Sequence, residues 1–128
     1  MATILVVDDE PEILSLVAYT FEREGHAVVQ AADGRIALAR LGLDPVDASV
    51  ELPDVIILDV MMPGVDGYTL SNRLMGDERV RGVPIVILTA KSRMRDAFST
   101  LTNVAAYVEK PFDPKALRET VVKILEKP

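Results

Sequence analysis

The sequence predicts a doubly wound α/β sandwich, helices on both faces of a parallel β-sheet, and three observations carry that reading. Five short apolar runs rich in β-branched residues recur along the 128 residues: 3–7 (TILVV), 27–31 (AVVQA), 55–60 (VIILDV), 84–88 (PIVIL) and 104–108 (VAAYV). The segments between them carry apolar residues at helical spacing, the alternation expected of β-α-β units rather than hairpins. The runs at 55–58 and 85–88 are continuously apolar instead of alternating, as strands buried on both faces are. A chain of 128 residues suffices for one domain with a proper core, so residues 1–128 are read as a single domain.

Each element has its own local warrant. The first strand runs into three consecutive acids, Asp8, Asp9 and Glu10, and Pro11 suits the first turn of a helix with those acids at its N-terminus. Ile13, Leu14, Val17, Ala18 and Phe21 form the apolar stripe of that helix, and Gly25 ends it. Asp33-Gly34 is a turn after the second strand, and residues 36–41 form a shorter helical stripe closed by Gly42. Residues 43–53, with two prolines, three acids and no clean period, read as a loop with a short helical turn at 46–50. After the central strand, Pro63-Gly64 and Asp66-Gly67 punctuate, and Tyr68, Leu70, Leu74 and Met75 mark a third helix. Residues 77–82 form a charged loop, and a weakly amphipathic fourth helix is expected over about 92–101. Asp113 as N-cap and Pro114 at the first helical position open the last helix, with Ala116, Leu117, Val121, Ile124 and Leu125 as its core stripe.

Composition excludes several functions. There is no cysteine and a single histidine, His26, so thiolate chemistry and polyhistidine metal sites are ruled out. No apolar stretch in the sequence approaches membrane-spanning length and no signal peptide is visible, which leads to an expectation of a cytoplasmic protein without membrane partners. Residues 1–66 carry 13 acids against 3 Lys/Arg, while residues 67–128 carry 7 against 11. That polarity, within a net charge of −6 and without a basic run interleaved with aromatics, argues against direct nucleic-acid binding.

The chain is organised around the run from Asp54 to Gly64, in which Asp59 alone interrupts the apolar residues near the strand's end. An unpaired buried carboxylate is costly, so Asp59 belongs at the carboxyl end of its strand, facing the crevice where open α/β sheets bind ligands. In a parallel sheet the other strand ends share that edge: Asp8 and Asp9, Thr89, and Lys110. Three carboxylates in one crevice call for a cation, and an all-oxygen set favours Mg²⁺, with Mn²⁺ as a substitute, over zinc or copper. Lys110 and Thr89 can donate to phosphoryl oxygens, which makes Asp59 the natural nucleophile for an aspartyl phosphate.

On these residues the chain resembles the receiver domains of two-component response regulators, a family of flavodoxin-like fold. The matching pieces are VVDDE at 6–10, ILDVMMPGVDG at 57–67, ILTA at 87–90 and YVEKPF at 107–112, in order over nearly the whole chain. The resemblance implies a five-stranded parallel sheet of order 2-1-3-4-5. It implies that Asp59 accepts a phosphoryl group from a sensor histidine kinase or phosphotransfer protein. It also implies that Asp9, Asp59 and the backbone carbonyl of Met61 bind Mg²⁺ directly, with Asp8 acting through water. Thr89 and Lys110 would contact the phosphoryl group. Thr89 and Tyr107 would form the switch, remodelling the face made by the fourth predicted helix, the fifth strand and the last helix, a face that also offers a homodimer contact. Pro111 matches a proline preceded by a cis peptide bond.

The sequence departs from the family in two places. Residues 43–53 form a longer connection than usual, and Asn103 stands where many relatives have glycine, which suggests a left-handed backbone there. Rival readings are a receiver-like binding module that works without phosphate, and an aspartate-nucleophile phosphatase of the haloacid dehalogenase type. The latter wants a second acid two residues after the nucleophile, where this chain has Met61. A flavin-binding flavodoxin would need a Ser-, Thr- or Gly-rich phosphate loop where Asp8-Asp9-Glu10 stands.

Overall fold

A computed structural model of the chain describes residues 2–59, 67–89 and 103–126. Five strands, β1 (Thr3–Val7), β2 (Ala27–Ala31), β3 (Val55–Asp59), β4 (Ile85–Thr89) and β5 (Val104–Glu109), form one sheet in the order β2-β1-β3-β4-β5. All pairings are parallel. Four helices are described: α1 (Pro11–Glu22), α2 (Gly34–Arg40), α3 (Gly67–Met75) and α4 (Pro114–Glu126). The doubly wound order is the expected one. The helix expected at 92–101 lies outside the described residues.

Strand periodicity sorts the core into two layers, because successive side chains point to opposite faces. Leu5, Val7, Ile56, Leu58, Ile85 and Ile87 point to one face, where they pack with Ala37, Leu38, Leu70 and Leu74 from α2 and α3. Ile4, Val6, Val55, Ile57, Val86 and Leu88 point to the other, against Leu14, Val17 and Phe21 of α1 and Leu117 and Val121 of α4. The continuous apolar runs of β1, β3 and β4 are thus used on both sides. The same parity places Asp8, Asp59 and Lys110 in register with the α1/α4 face, one step beyond the strand residues packed there.

Helix ends follow their local chemistry. Asp33 caps α2, accepting from the Ile36 N–H at 2.8 Å, and Asp113 accepts from the Lys115 N–H at 3.1 Å at the start of α4. Gly25 ends the turn after α1 at φ +87°, a conformation open to glycine. Asn103, in contrast, does not take the left-handed conformation expected of it: among the described residues only glycines have positive φ. Asn103 is buried and donates its side-chain amide to the Ser71 carbonyl at 3.3 Å, so a tertiary contact to α3 sets its role. His26 is half-buried just before the edge strand β2, its Nδ1 accepting from the Ala2 N–H at 3.0 Å.

The 43–53 connection is the expected loop, and in place of a helical turn over 46–50 it holds a single turn in which the Val50 N–H donates to the Asp47 carbonyl at 3.3 Å. Leu43 and Val46 form an isolated antiparallel bridge, the Asp44–Pro45 bond is cis, and the Asp47 carboxylate holds Ser49 through its N–H and hydroxyl. Arg79, in the loop after α3, ties the segment down by donating to the Leu41 carbonyl at 2.8 Å and to the Val50 carbonyl. Asp77 fixes that loop in turn, accepting from the Arg79 and Val80 N–H groups. Removing the guanidinium leaves two part-buried carbonyls without their donor, so Arg79→Ala is expected to cost about 2 kcal/mol. A shift in the urea midpoint at unchanged slope would register it.

Candidate functional site

The carboxyl edge of the sheet gathers the groups that the strand ends promised. Asp8 follows β1 and is fully buried; Asp59 ends β3 with 3% of its surface exposed. Lys110 follows β5, and its Nζ lies 3.0 Å from Asp8 Oδ2, 3.3 Å from Asp59 Oδ1 and 3.6 Å from Glu10 Oε1. The ammonium therefore bridges carboxylates from two neighbouring strands and a third from the start of α1. The Lys110–Pro111 peptide bond is cis.

Electrostatics follow from burial and from this sharing. Burial pushes the Asp8 carboxyl above its ordinary value, more strongly than the Glu10 N–H and the Lys110 ammonium pull it down. For Lys110, burial alone would lower the ammonium, but the hydrogen bond and charge of Asp8, joined by Asp59, outweigh it and raise Lys110 above its ordinary value. Among the described residues, Lys110 is the cation these three carboxylates share, and the cost of burial falls on Asp8.

Oxygen donors are available for a hard cation. The carboxylates of Asp8, Asp9 and Glu10 place ligand atoms within 4.8 Å of one another, with Asp9 and Glu10 exposed. Asp59 is tied to the same place through the Lys110 ammonium it shares with Asp8. An all-oxygen, anion-rich, partly solvated set fits Mg²⁺, which retains several waters and needs only one or two carboxylates.

Not every predicted site residue can be placed. Met61 lies outside the described residues. Thr89 ends β4 on the same edge, paired with Glu109, while its side chain lies outside what is described. Tyr107 is half-buried on β5 and packs against the core layer on the α2/α3 face. Sequence reasoning treated Glu10 as a helix-terminal charge and missed its reach to Lys110. Its signal was only a third acid after Asp8-Asp9 at a position where glutamate is a poor cap.

The family model for the response regulator receiver domain matches residues 4–122. The chain belongs to that family. It is 37% identical over 129 residues to the transcriptional regulator RpaA of Synechocystis, covering 99% of this chain and 50% of that protein. It is 32% identical over 128 residues to protein PilH of Pseudomonas aeruginosa, covering 98% of each. The receiver therefore spans half of RpaA but nearly all of PilH. Among solved structures, response regulator TrrA of Thermotoga maritima in complex with Mg²⁺–BeF superposes with a TM-score of 0.79, at 31% identity over 97% of this chain and 99% of that one.

Proposed function

We propose that residues 1–128 form a single receiver that acts as a phosphorylation-activated switch, with Asp59 as the phosphoacceptor. The observation that carries this reading is the shared ammonium. Lys110 Nζ lies within 3.3 Å of both Asp8 and Asp59, at the one edge of the sheet where a carboxylate nucleophile, a cation and an anion-rich metal pocket meet.

Asp9 and Asp59 would hold Mg²⁺ directly with the Met61 carbonyl, and Asp8 through water; the acidic group at Asp8 and Asp9 supports a cation here, and that TrrA is in complex with Mg²⁺–BeF supports magnesium as that cation. The ion would supply neutralisation of the phosphoryl oxygens. A carboxylate oxygen of Asp59 attacks phosphorus of a phosphohistidine on a sensor kinase or phosphotransfer protein. The O–P bond forms, the P–N bond breaks, and its electron pair stays on the ring, which leaves as neutral imidazole when its other nitrogen carries a proton. Lys110 follows the new negative charge and Thr89 donates its hydroxyl, stabilising a loose transition state by position and charge. Hydrolysis of the acyl phosphate by water resets the switch, so the chemistry is limited to gaining and losing this group.

The output is a population shift in which Thr89 and Tyr107 favour one arrangement of the face carrying β5 and α4. That face would then engage a separate protein, an attached output domain or a second copy of the chain. Among the described residues no helix is long and apolar enough to cross a membrane. A cytoplasmic protein that leaves nucleic-acid binding to its partners is consistent with the acidic total of −6.

Intact mass after incubation with Mg²⁺ and acetyl phosphate tests this reading. One phosphoryl group is expected on the wild type, and none on Asp59→Asn or with chelator present. If the wild type neither gains phosphoryl from acetyl phosphate or a phosphohistidine donor nor binds beryllofluoride, the reading fails and a phosphate-independent binding module replaces it.

A further inference from the structure

We propose that Glu10 is a positioning residue for Lys110, its carboxylate engaging the ammonium and holding it back from an incoming phosphoryl group, so that Glu10 slows phosphoryl gain at Asp59. The inference rests on the reading of Asp59 as phosphoacceptor.

Glu10 occupies the N-cap position of α1 with φ −91° and ψ 113°, the extended backbone that a cap requires. Its carbonyl accepts from the Ile13 and Leu14 N–H groups at 3.1 and 3.2 Å, yet its side chain makes no cap hydrogen bond. Serine, threonine, aspartate or asparagine would turn back onto the helix here and stabilise it. The carboxylate of Glu10 instead reaches sideways to Lys110 Nζ at 3.6 Å.

Asp8 sets that direction. Its Oδ1 accepts from the Glu10 N–H at 2.9 Å while its Oδ2 takes Lys110 at 3.0 Å, so one buried carboxylate orients both partners of the outer pair. An ammonium has three N–H donors, and three carboxylates surround this one. Asp8 and Asp59 stand at hydrogen-bond distance and Glu10 at an ion-pair distance of 3.6 Å, so a phosphoryl oxygen that takes the third donor competes with Glu10 for the ammonium. Glu10 is the farthest and, with 58% of its side chain exposed, the only one at the solvent side of the crevice.

An exposed pair of this kind contributes little to stability. Its effect belongs to the rate. Glu10→Gln is expected to raise the rate constant for phosphoryl gain from acetyl phosphate with Mg²⁺ about fivefold at low ionic strength, with the difference shrinking in high salt. Glu10→Asp separates contact from charge. One methylene shorter and a good N-cap, Asp at this position turns to the Glu12 or Ile13 N–H, which raises the thermal midpoint and releases Lys110. Its rate is expected to match that of Glu10→Gln although the charge is kept.

If Glu10→Gln gains phosphoryl at the wild-type rate while Asp59 is still labelled, the inference falls and the phosphoacceptor reading stands. If Glu10→Asp behaves as wild type while Glu10→Gln is faster, net charge is responsible and the Lys110 contact is not, which also overturns the inference. If the wild type takes no phosphoryl and binds no beryllofluoride, both fall together.

Discussion

Gly42→Ala is expected to lower stability by roughly 3 kcal/mol, the sum of a left-handed backbone for alanine and a collision that no side-chain rotation relieves. Gly42 has φ +71°, and a Cβ built on it would lie 2.2 Å from the Asp47 carbonyl oxygen and 3.2 Å from Val50 Cβ. The first of these is backbone, held close because the Asp47 N–H donates back to the Gly42 carbonyl at 2.8 Å. Relief would require the whole 43–53 segment to lift, taking with it the Val50 carbonyl on Arg79 and the core contacts of Leu43 and Leu52. Gly25→Ala is the internal control. Its φ of +87° carries the same backbone cost, but nothing lies within 4 Å of the added methyl, so about 1 kcal/mol is expected. Urea unfolding of the two variants beside wild type decides the matter. Equal losses would show that the segment yields freely and that Gly42 acts through φ alone.

The same comparison shows where the sequence was legible. Asp8, Asp59 and Lys110 were readable because two regularities converge on them: parallel strands end at one edge, and alternate residues share a face. Neither regularity depends on distant detail. The 43–53 segment was not readable in that way, since its shape rests on Gly42 and on Arg79, which reaches back from the loop after α3 to Leu41 and Val50. No local pattern announces such a tie. Asn103 failed for a similar reason. Its residue type suits a left-handed turn, but burial against Ser71 gave its amide a tertiary partner and the backbone stayed on the ordinary side. Glu10 was legible as a charge and not as a contact, because its direction depends on the hydrogen bond its own N–H makes to Asp8.

Asp8→Asn is expected to stabilise the metal-free protein at neutral pH by about 1 to 2 kcal/mol, a sign opposite to that of most buried substitutions. Asp8 is fully buried, and burial raises its carboxyl above the ordinary 3.8 despite the Glu10 N–H and Lys110. A folded-state value above the unfolded one means that the folded chain binds the proton more tightly. Ionised Asp8 therefore costs stability at neutral pH, and the cost is relieved as pH falls through the raised value, vanishing below the unfolded one. Asparagine keeps the acceptor for the Glu10 N–H and removes the charge. Lys110 works in the other direction. Its raised ammonium contributes stability that is complete below the unfolded value of 10.5 and is lost as pH climbs through the folded one. Asparagine at Asp8 takes away the partner chiefly responsible for that rise, so the alkaline loss should also flatten. Thermal unfolding in chelator from pH 4 to pH 8 reads the first effect: the wild type should lose stability, relative to Asp8→Asn, as pH rises above 3.8. Adding Mg²⁺ reverses the order on the proposed reading. A ligand at a hundred times its Kd stabilises the folded state by about 2.7 kcal/mol, and the wild type should gain most of that while Asp8→Asn gains little. A variant no more stable than wild type in chelator would mean that Lys110 and the Glu10 N–H already compensate the burial of Asp8 in full.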